Sequence, residues 1–416
     1  MRFAHIADVH IGSWRDAKLR DVSTDAFLKA MDRCIEKKMD FILISGDLFN
    51  TALPDIDSLK KVAEKLRLVK ESDIPVYMIA GSHDFSASGK TMLHVLEKAG
   101  LVIDVHKGEI VGDRLQLKFT ADRKTGAKIT GILGKKGMLD RHIYEDLDRK
   151  HIEENIRNEK GFKIFMFHTA LTEFRPKDME NMESSSLELL PKNFDYYAGG
   201  HVHYIFEKDV EGYGKIAYPG ALFPANFKEL EEYQNGGFYI YEEGILRYEP
   251  IEFFPVIAFE FDCSLKTPLQ VEEEVKRKIR DLHLKDAVVL MRFHGKLGNG
   301  KVSEIGFGHL FEAIENKGAY FIMKNTNSLS SPELEEMEQL RLKDIDKSPE
   351  QVETEVIKEH LGKFKIAEIK PENEEKLTSE LIRVLLSEKE EGENVSDFER
   401  RIRENVDKVL EVERVV

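Results

Sequence analysis

The sequence predicts an α/β protein carrying a second, smaller α+β unit and a helical tail. Three observations predict it. Short apolar runs alternate with helical patterns over about the first 250 residues, the alternation restarts after Pro255, and beyond "NTNSLSSPE" the composition turns to Glu and Lys.

Taken in order, "RFAHIA", "DFILIS", "PVYMIA", "FKIFMF" and "FDYYAG" read as strands buried on both faces, because they are almost continuously apolar. Between the first of them, "TDAFLKAMDRCIEKK" and "SLKKVAEKLRLVKE" carry the helical period. "GGFYIYEEGILRYEPIEF" reads as a hairpin turning at "EEG". After Pro255, "VIAFEFDC", "AVVLMRFHG" and "AYFIMKN" read as strands, and "PLQVEEEVKRKIRDL" and "GHLFEAIENKG" as helices. In the tail, Phe398, Ile402 and Val406 fall on one helical face, preceded by Leu381 and Leu385. The expected division is 1–252, 253–328 and 329–416.

The chain has 416 residues, 41% of them hydrophobic, enough for a substantial core. No run reaches the roughly 18 apolar residues of a membrane span. Cys34 and Cys263 are too far apart in sequence to suggest a disulfide framework, and "MRFAHIADVH" has no secretory pattern, so a reducing, cytoplasmic compartment is expected. Of the net charge of -15, residues 333–416 hold -10, leaving only -5 on the rest. Acidity concentrated in the tail does not exclude a nucleic-acid substrate.

The predicted strands end in metal-ligand chemistry. "HIADVH" supplies Asp8 and His10, "LISGDLF" Asp47, "IAGSHD" Ser82, His83 and Asp84, "FMFHTA" His168, and "AGGHVH" His201 and His203. Carboxyl ends of strands are where α/β proteins gather their sites. One histidine after a strand is ordinarily a satisfied structural group, and one "GD" is a turn. Five such motifs in order, with five histidines among them, point to a dinuclear metal site. The Asp-x-His and His-x-His spacing is expected to put both side chains of each pair on one side of an extended segment.

"DVH", "GD", "GSHD", "H" and "GHVH" resemble the signature of the calcineurin-like metallophosphoesterases. "FAHIADVHIG", "DFILISGDLFN", "YYAGGHVH" and "AYPGAL" resemble more narrowly the SbcD type of double-strand-break repair nuclease, over residues 1 to about 250. The resemblance implies two β-sheets between helices, two Mn²⁺ per subunit (Mg²⁺, Fe²⁺ or Zn²⁺ as substitutes), and exo- and endonuclease activity on DNA. It also implies a homodimer, an SMC-like coiled-coil ATPase partner and a nucleoid-associated setting, with no membrane. By position, it implies that Asp8, His10 and His203 hold one metal, Asp47 bridges, and His168 and His201 hold the second. Ser82 stands where the family has the Asn of "GNHD", which weakens the second site. His83 is then the non-ligand catalytic histidine and Asp84 its orienting partner. Asn50 follows "GDLF" where relatives carry His, a substrate-contacting position, and Ala221 in "YPGAL" stands where Ser is frequent. The helices flanking "GSHD" imply a dimer face at Leu59 and Val95, and the tail helices imply the ATPase-binding segment.

"GKLGNGKV", residues 295–302, fits the spacing of a phosphate-binding loop, but Val302 replaces the metal-binding Ser or Thr, so it reads as a basic turn. Lys296, Lys301, Lys135 and Lys136 are expected to contact DNA phosphates, with ordinary solvated lysines as the bland reading. The competing functional reading is a phosphoesterase of the same superfamily acting on small phosphate esters.

Overall fold

The computed structural model describes residues 1–86, 89, 91–135, 141–179, 181–332, 374–385, 387 and 395–410. The chain runs β1 (Arg2–Ile6), α1 (Ala17–Glu36), β2 (Phe41–Ser45), α2 (Ile56–Glu71), β3 (Val76–Ile79), α3 (Leu93–Lys98) and β4 (Ile103–Asp104). A hairpin follows, β5 (Gly108–Val111) and β6 (Arg114–Leu117), then β7 (Thr120–Ala121), β8 (Lys128–Gly131), α4 (Arg141–Glu145), α5 (Arg149–Asn158), β9 (Lys163–His168) and β10 (Tyr196–Gly200). Next come β11 (Phe206–Val210), β12 (Gly214–Tyr218), α6 (Phe227–Tyr233), β13 (Gly236–Glu242) and β14 (Ile245–Ile251).

These strands build two six-stranded sheets, β14-β13-β1-β2-β3-β4 and β11-β12-β10-β9-β8-β7. Within them β1, β2 and β3 run parallel, as do β8, β9, β10 and β12. Side-chain alternation explains why the strands read as unbroken apolar runs. Phe3, Phe41, Leu43, Ile164, Met166 and Tyr196 pack between the sheets. Ala4, Ile6, Ile42 and Ile44 face the other way, onto α1 and α2 through Leu19, Phe27, Val62 and Leu66. Phe165, Phe167 and Tyr197 of the second sheet pack on Tyr144, Ile152 and Ile156 of α4 and α5. The result is helix, sheet, sheet, helix, so both faces of each central strand are buried and only the strand ends are free to carry chemistry. The "EEG" hairpin turns on Glu243 and Gly244, both with positive φ (50° and 90°), the geometry of a two-residue turn.

Beyond Pro255 the expected pattern appears as β15 (Val256–Asp262), α7 (Pro268–Ile279), β16 (Val288–Lys296), α8 (Phe307–Glu315) and β17 (Phe321–Ser330), with the strands in one sheet in that order. Two tail helices follow, α9 (Glu374–Leu385) and α10 (Val395–Val409), which pack on one another. By internal contacts one compact unit comprises residues 1–261, 274–293 and 307–327; a second comprises 262–273, 294–306 and the described residues from 328 onward. Among the described residues, no helix is long and apolar enough to cross a membrane.

Candidate metal centre

Five strand ends converge. Asp8 and His10 follow β1, Asp47 follows β2, Ser82 to Asp84 follow β3, His168 closes β9, and His201 and His203 follow β10. Three groups of ligand atoms each lie within 4.8 Å: Asp8, His10 and His203; Asp8, Asp47 and His168; and His10, Asp47 and His83. His10 Nε2 lies 3.1 Å from His203 Nε2, and His168 Nε2 lies 3.2 Å from Asp47 Oδ2. His201 joins none of these groups. Its ring stands edge-on to His168, 5.3 Å between centroids, and its backbone N–H donates to both oxygens of Asp8.

The backbone that presents these groups is not extended, contrary to the reading of the Asp-x-His and His-x-His spacing. Asp8, His10, Asp47 and His201 all sit at positive φ (49°, 48°, 52° and 88°). A non-glycine residue there costs on the order of 1–3 kcal/mol, and such strain gathers at functional sites. These left-handed residues turn each chain away from the line of its strand, so the aim of the side chains is set by the turn and not by strand alternation. Close approach demands glycine here. A Cβ on Gly46 would stand 2.2 Å from His168 Nδ1, and one on Gly81 would stand 2.3 Å from Asp47 Oδ1.

Electrostatics follow from burial. Asp8 is pushed up to about 7 by burial, with His168 and His203 working against it. Burial acts to raise Asp47 too, yet His168, then His10 and the N–H of His83, hold it well below the usual carboxylate range. Burial disfavours charge on His168, but Asp47 outweighs it and carries the ring up to about 10. Burial opposes charge on His203 as well, and the hydrogen bond to Glu229 carries it to about 9. Burial drives His10 down to about 3; His201, although exposed, is lowered as well, by desolvation and then by His168.

The donor set fits divalent cations. It is made of carboxylate oxygens and imidazole nitrogens, with no thiolate, and His10 Nδ1 is buried with no hydrogen-bond partner. Positive charge on His168 and His203 offsets the buried carboxylates, and cations would take over that part.

Asp84 does not orient His83. Its carboxylate accepts from the backbone N–H groups of Gly81 (2.8 Å), Asp47 (2.9 Å) and Phe49 (3.2 Å). It therefore staples the loop after β2 to the loop after β3, because turns leave N–H groups without ladder partners. The contact on the His83 ring comes from the Asn50 carbonyl, 2.9 Å from Nδ1. Asn50 thus lies beside the site through its backbone. Ser82 is buried, and its hydroxyl donates to Asp47 Oδ2 at 3.3 Å.

Lys135 is exposed and follows Gly134, whose Cβ position abuts His168 at 2.5 Å; Lys136 lies outside the described residues. Lys296 ends β16 and Lys301 precedes a 3₁₀ turn at Val302–Glu304, so "GKLGNGKV" is a turn with no α-helix to receive a phosphate. Val95 is 56% exposed, whereas Leu59 is half-buried against its own core. On the tail helices Leu381, Phe398, Ile402 and Val406 are half-buried and Leu385 is exposed.

The sequence reading missed Glu229. It stands in α6, and its carboxylate lies 2.8 Å from His203 Nδ1. Asn226 caps the same helix by accepting from the Glu229 N–H. "NFKE" is a legible capping signal, but nothing in it shows that the Glu also reaches a histidine.

Residues 1–204 match the calcineurin-like phosphoesterase family. Those residues, just under half of the chain, carry a domain of that family. The chain is also similar to proteins named "DNA double-strand break repair protein Mre11". It is 30% identical to that of Methanococcus maripaludis over 250 residues (58% of this chain, 62% of the relative). It is 29% identical to that of Methanopyrus kandleri over 300 residues (67% and 62%), and 27% identical to that of Archaeoglobus fulgidus over 248 residues (56% and 52%). The chain thus spans between about half and three-fifths of the length of these relatives, and the SbcD-type resemblance of its motifs agrees with them.

Proposed function

We propose that this protein is a phosphoesterase, a Mn²⁺-dependent DNA nuclease that acts as an exonuclease on duplex ends and an endonuclease on single strands and processes double-strand breaks. The observation that carries the chemistry is the convergence of Asp8, His10, Asp47, His168 and His203 on strand ends, within 4.8 Å in each group. The double-strand-break repair name of its relatives supports DNA as the substrate.

On this reading Asp8, His10 and His203 would hold one ion, His168 and His201 the other with Ser82 beside them, and Asp47 would serve both. Two bound ions would lower the pKa of a water and draw charge from a phosphate oxygen. The protein does the rest. Glu229 fixes the His203 ring, and the Ser45 carbonyl, 2.8 Å from His168 Nδ1, fixes that of His168. His83, held at Nδ1 by the Asn50 carbonyl, presents Nε2 as a proton donor to the leaving oxygen. Lys135, Lys136, Lys296 and Lys301 serve as contacts to DNA phosphates. Residues 1–252 form the nuclease domain, 253–328 a DNA-facing cap, and 329–416 the segment that docks a coiled-coil ATPase through Leu381, Leu385, Phe398, Ile402 and Val406. Val95 and Leu59 belong to a homodimer face.

The test is hydrolysis of linear duplex DNA and of p-nitrophenyl phosphate with Mn²⁺. DNA cleavage that is lost in Asp47→Ala supports the reading; turnover of the small ester with no DNA cleavage favours a small-substrate phosphoesterase instead.

A further inference from the structure

We propose that His5, with Ser45 and Tyr196, is a positioning clamp for the metal centre, tying the strand that leads to His201 and His203 to the strands that lead to Asp8, His10 and Asp47. The inference rests on the metal-centre reading above. His5 lies in β1, Ser45 ends β2 and Tyr196 opens β10, so the clamp spans the gap between the two sheets.

All three residues are fully buried. His5 Nδ1 lies 2.9 Å from the Tyr196 hydroxyl, and its Nε2 lies 3.1 Å from Ser45 Oγ. Ser45 Oγ in turn donates to the Ala198 carbonyl at 3.0 Å. The direction of the chain follows from its end. A carbonyl only accepts, so the single hydroxyl proton of Ser45 goes to Ala198. Ser45 Oγ must then accept from His5 Nε2–H, which leaves Nδ1 bare to accept from the Tyr196 O–H. His5 stays neutral in this arrangement: burial drives it down to about 3, against a hydrogen bond with the Gly199 backbone.

Filling space does not explain these residues. The layer around them is built of hydrophobic side chains, among them Phe3, Phe41, Leu43, Ile164 and Met166, with the rings of Tyr77, Tyr239 and Tyr241 beside them. A Phe at position 5 would fill the layer without the cost of burying an imidazole. What hydrogen bonds add is direction, since they set the distance and register of β1, β2 and β10 more narrowly than apolar packing does. That register is delivered to the site through short links. The Ser45 carbonyl accepts from His168 Nδ1–H at 2.8 Å, Ser45 stands two residues before Asp47, and Ala198 three before His201.

The test is Mn²⁺ binding, measured by calorimetry on the whole chain, beside the melting temperature of the metal-free protein. Three variants are compared: His5→Phe, Tyr196→Phe, and Phe3→Leu as a packing control in the same layer. A loss of support behind metal ligands weakens the metal about 10-fold or more. Lower melting in all three, with weaker Mn²⁺ binding only in His5→Phe and Tyr196→Phe, is the expected result. Parent-like Mn²⁺ binding in both clamp variants, or equal weakening in Phe3→Leu, would overturn the inference. Should His5→Phe fail to fold, Tyr196→Phe decides alone. A parent chain that binds no Mn²⁺ would instead overturn the metal-centre reading and this inference with it.

Discussion

Glu229 holds His203 by a 2.8 Å contact between Oε1 and Nδ1, and the same carboxylate accepts from the Ala225 N–H at 2.7 Å. This carboxylate–histidine pair turns His203 Nε2 toward His10 and the site. Glu229→Ala is expected to weaken Mn²⁺ binding by about 10- to 100-fold, the usual effect of removing such a partner. Mn²⁺ titration of the variant checks it, and parent-like affinity would show that the helix capping of Glu229 is its whole role.

Asp84 is expected to act on stability before activity. Asp84→Ala leaves buried N–H groups of Asp47, Phe49 and Gly81 without acceptor, at about 1–3 kcal/mol for each that water does not reach. Urea unfolding of the metal-free protein should show the loss, with Asp84→Asn recovering part of it.

His83→Ala should behave in the opposite way. Its ring touches the backbone carbonyl of Asn50 and stands edge-on to His10, 4.9 Å between centroids. Nuclease turnover is expected to fall about 10²- to 10⁴-fold, the range for loss of a general acid, with stability little changed. Calorimetry should still register parent-like Mn²⁺ binding; a lost ion would place His83 among the ligands, where its group with His10 and Asp47 also allows it.

Ser82→Asn tests the departure in "GSHD". The Ser82 hydroxyl reaches Asp47 Oδ2 at 3.3 Å, and an Asn carbonyl would stand on a longer arm. The Mn²⁺ concentration giving half-maximal nuclease rate should fall, by an effect of about 1–2 kcal/mol for one added ligating group. Identical titration curves for the two forms would make the departure neutral.

The metal-free protein should lose stability as pH rises. His168 and His203 ordinarily titrate at 6.5 and are raised to about 10 and 9 in the fold, so the folded state holds more protons than the unfolded chain between those values. Their contribution is complete below pH 6.5 and is lost as pH climbs through 9 and 10. Melting curves with EDTA should fall across that window, and saturating Mn²⁺ should flatten the dependence, because ions replace the protons. A metal-free melting temperature that is level from pH 6.5 to 10 would contradict the pairing of His168 with Asp47.

The sequence by itself determined the strands that lead to the site, their order along the chain and the residue types at their ends, but not the short strands β4 to β8, β11 and β12. Unbroken apolar runs such as "DFILIS" are legible because burial on both faces leaves no polar position, and "GD" or "GGH" is legible because a turn after a buried strand needs glycine. Asp8, His10, Asp47 and His168 could be found this way, since each follows or closes such a run. Tertiary structure alone decided what each side chain touches. Local pattern carries the period of a strand, but not the left-handed turns at Asp8, His10 and Asp47 that aim those side chains inward. It placed Asp84 beside His83 in sequence, whereas the fold turns Asp84 onto three backbone N–H groups and lends His83 the Asn50 carbonyl. Glu229 and His5 were hidden for the same reason: a carboxylate 26 residues from His203, and an imidazole 191 residues from Tyr196, become partners only when two sheets close on each other. Hydrogen bonds over such separations are set by the packing of the layers, which no short stretch of sequence contains.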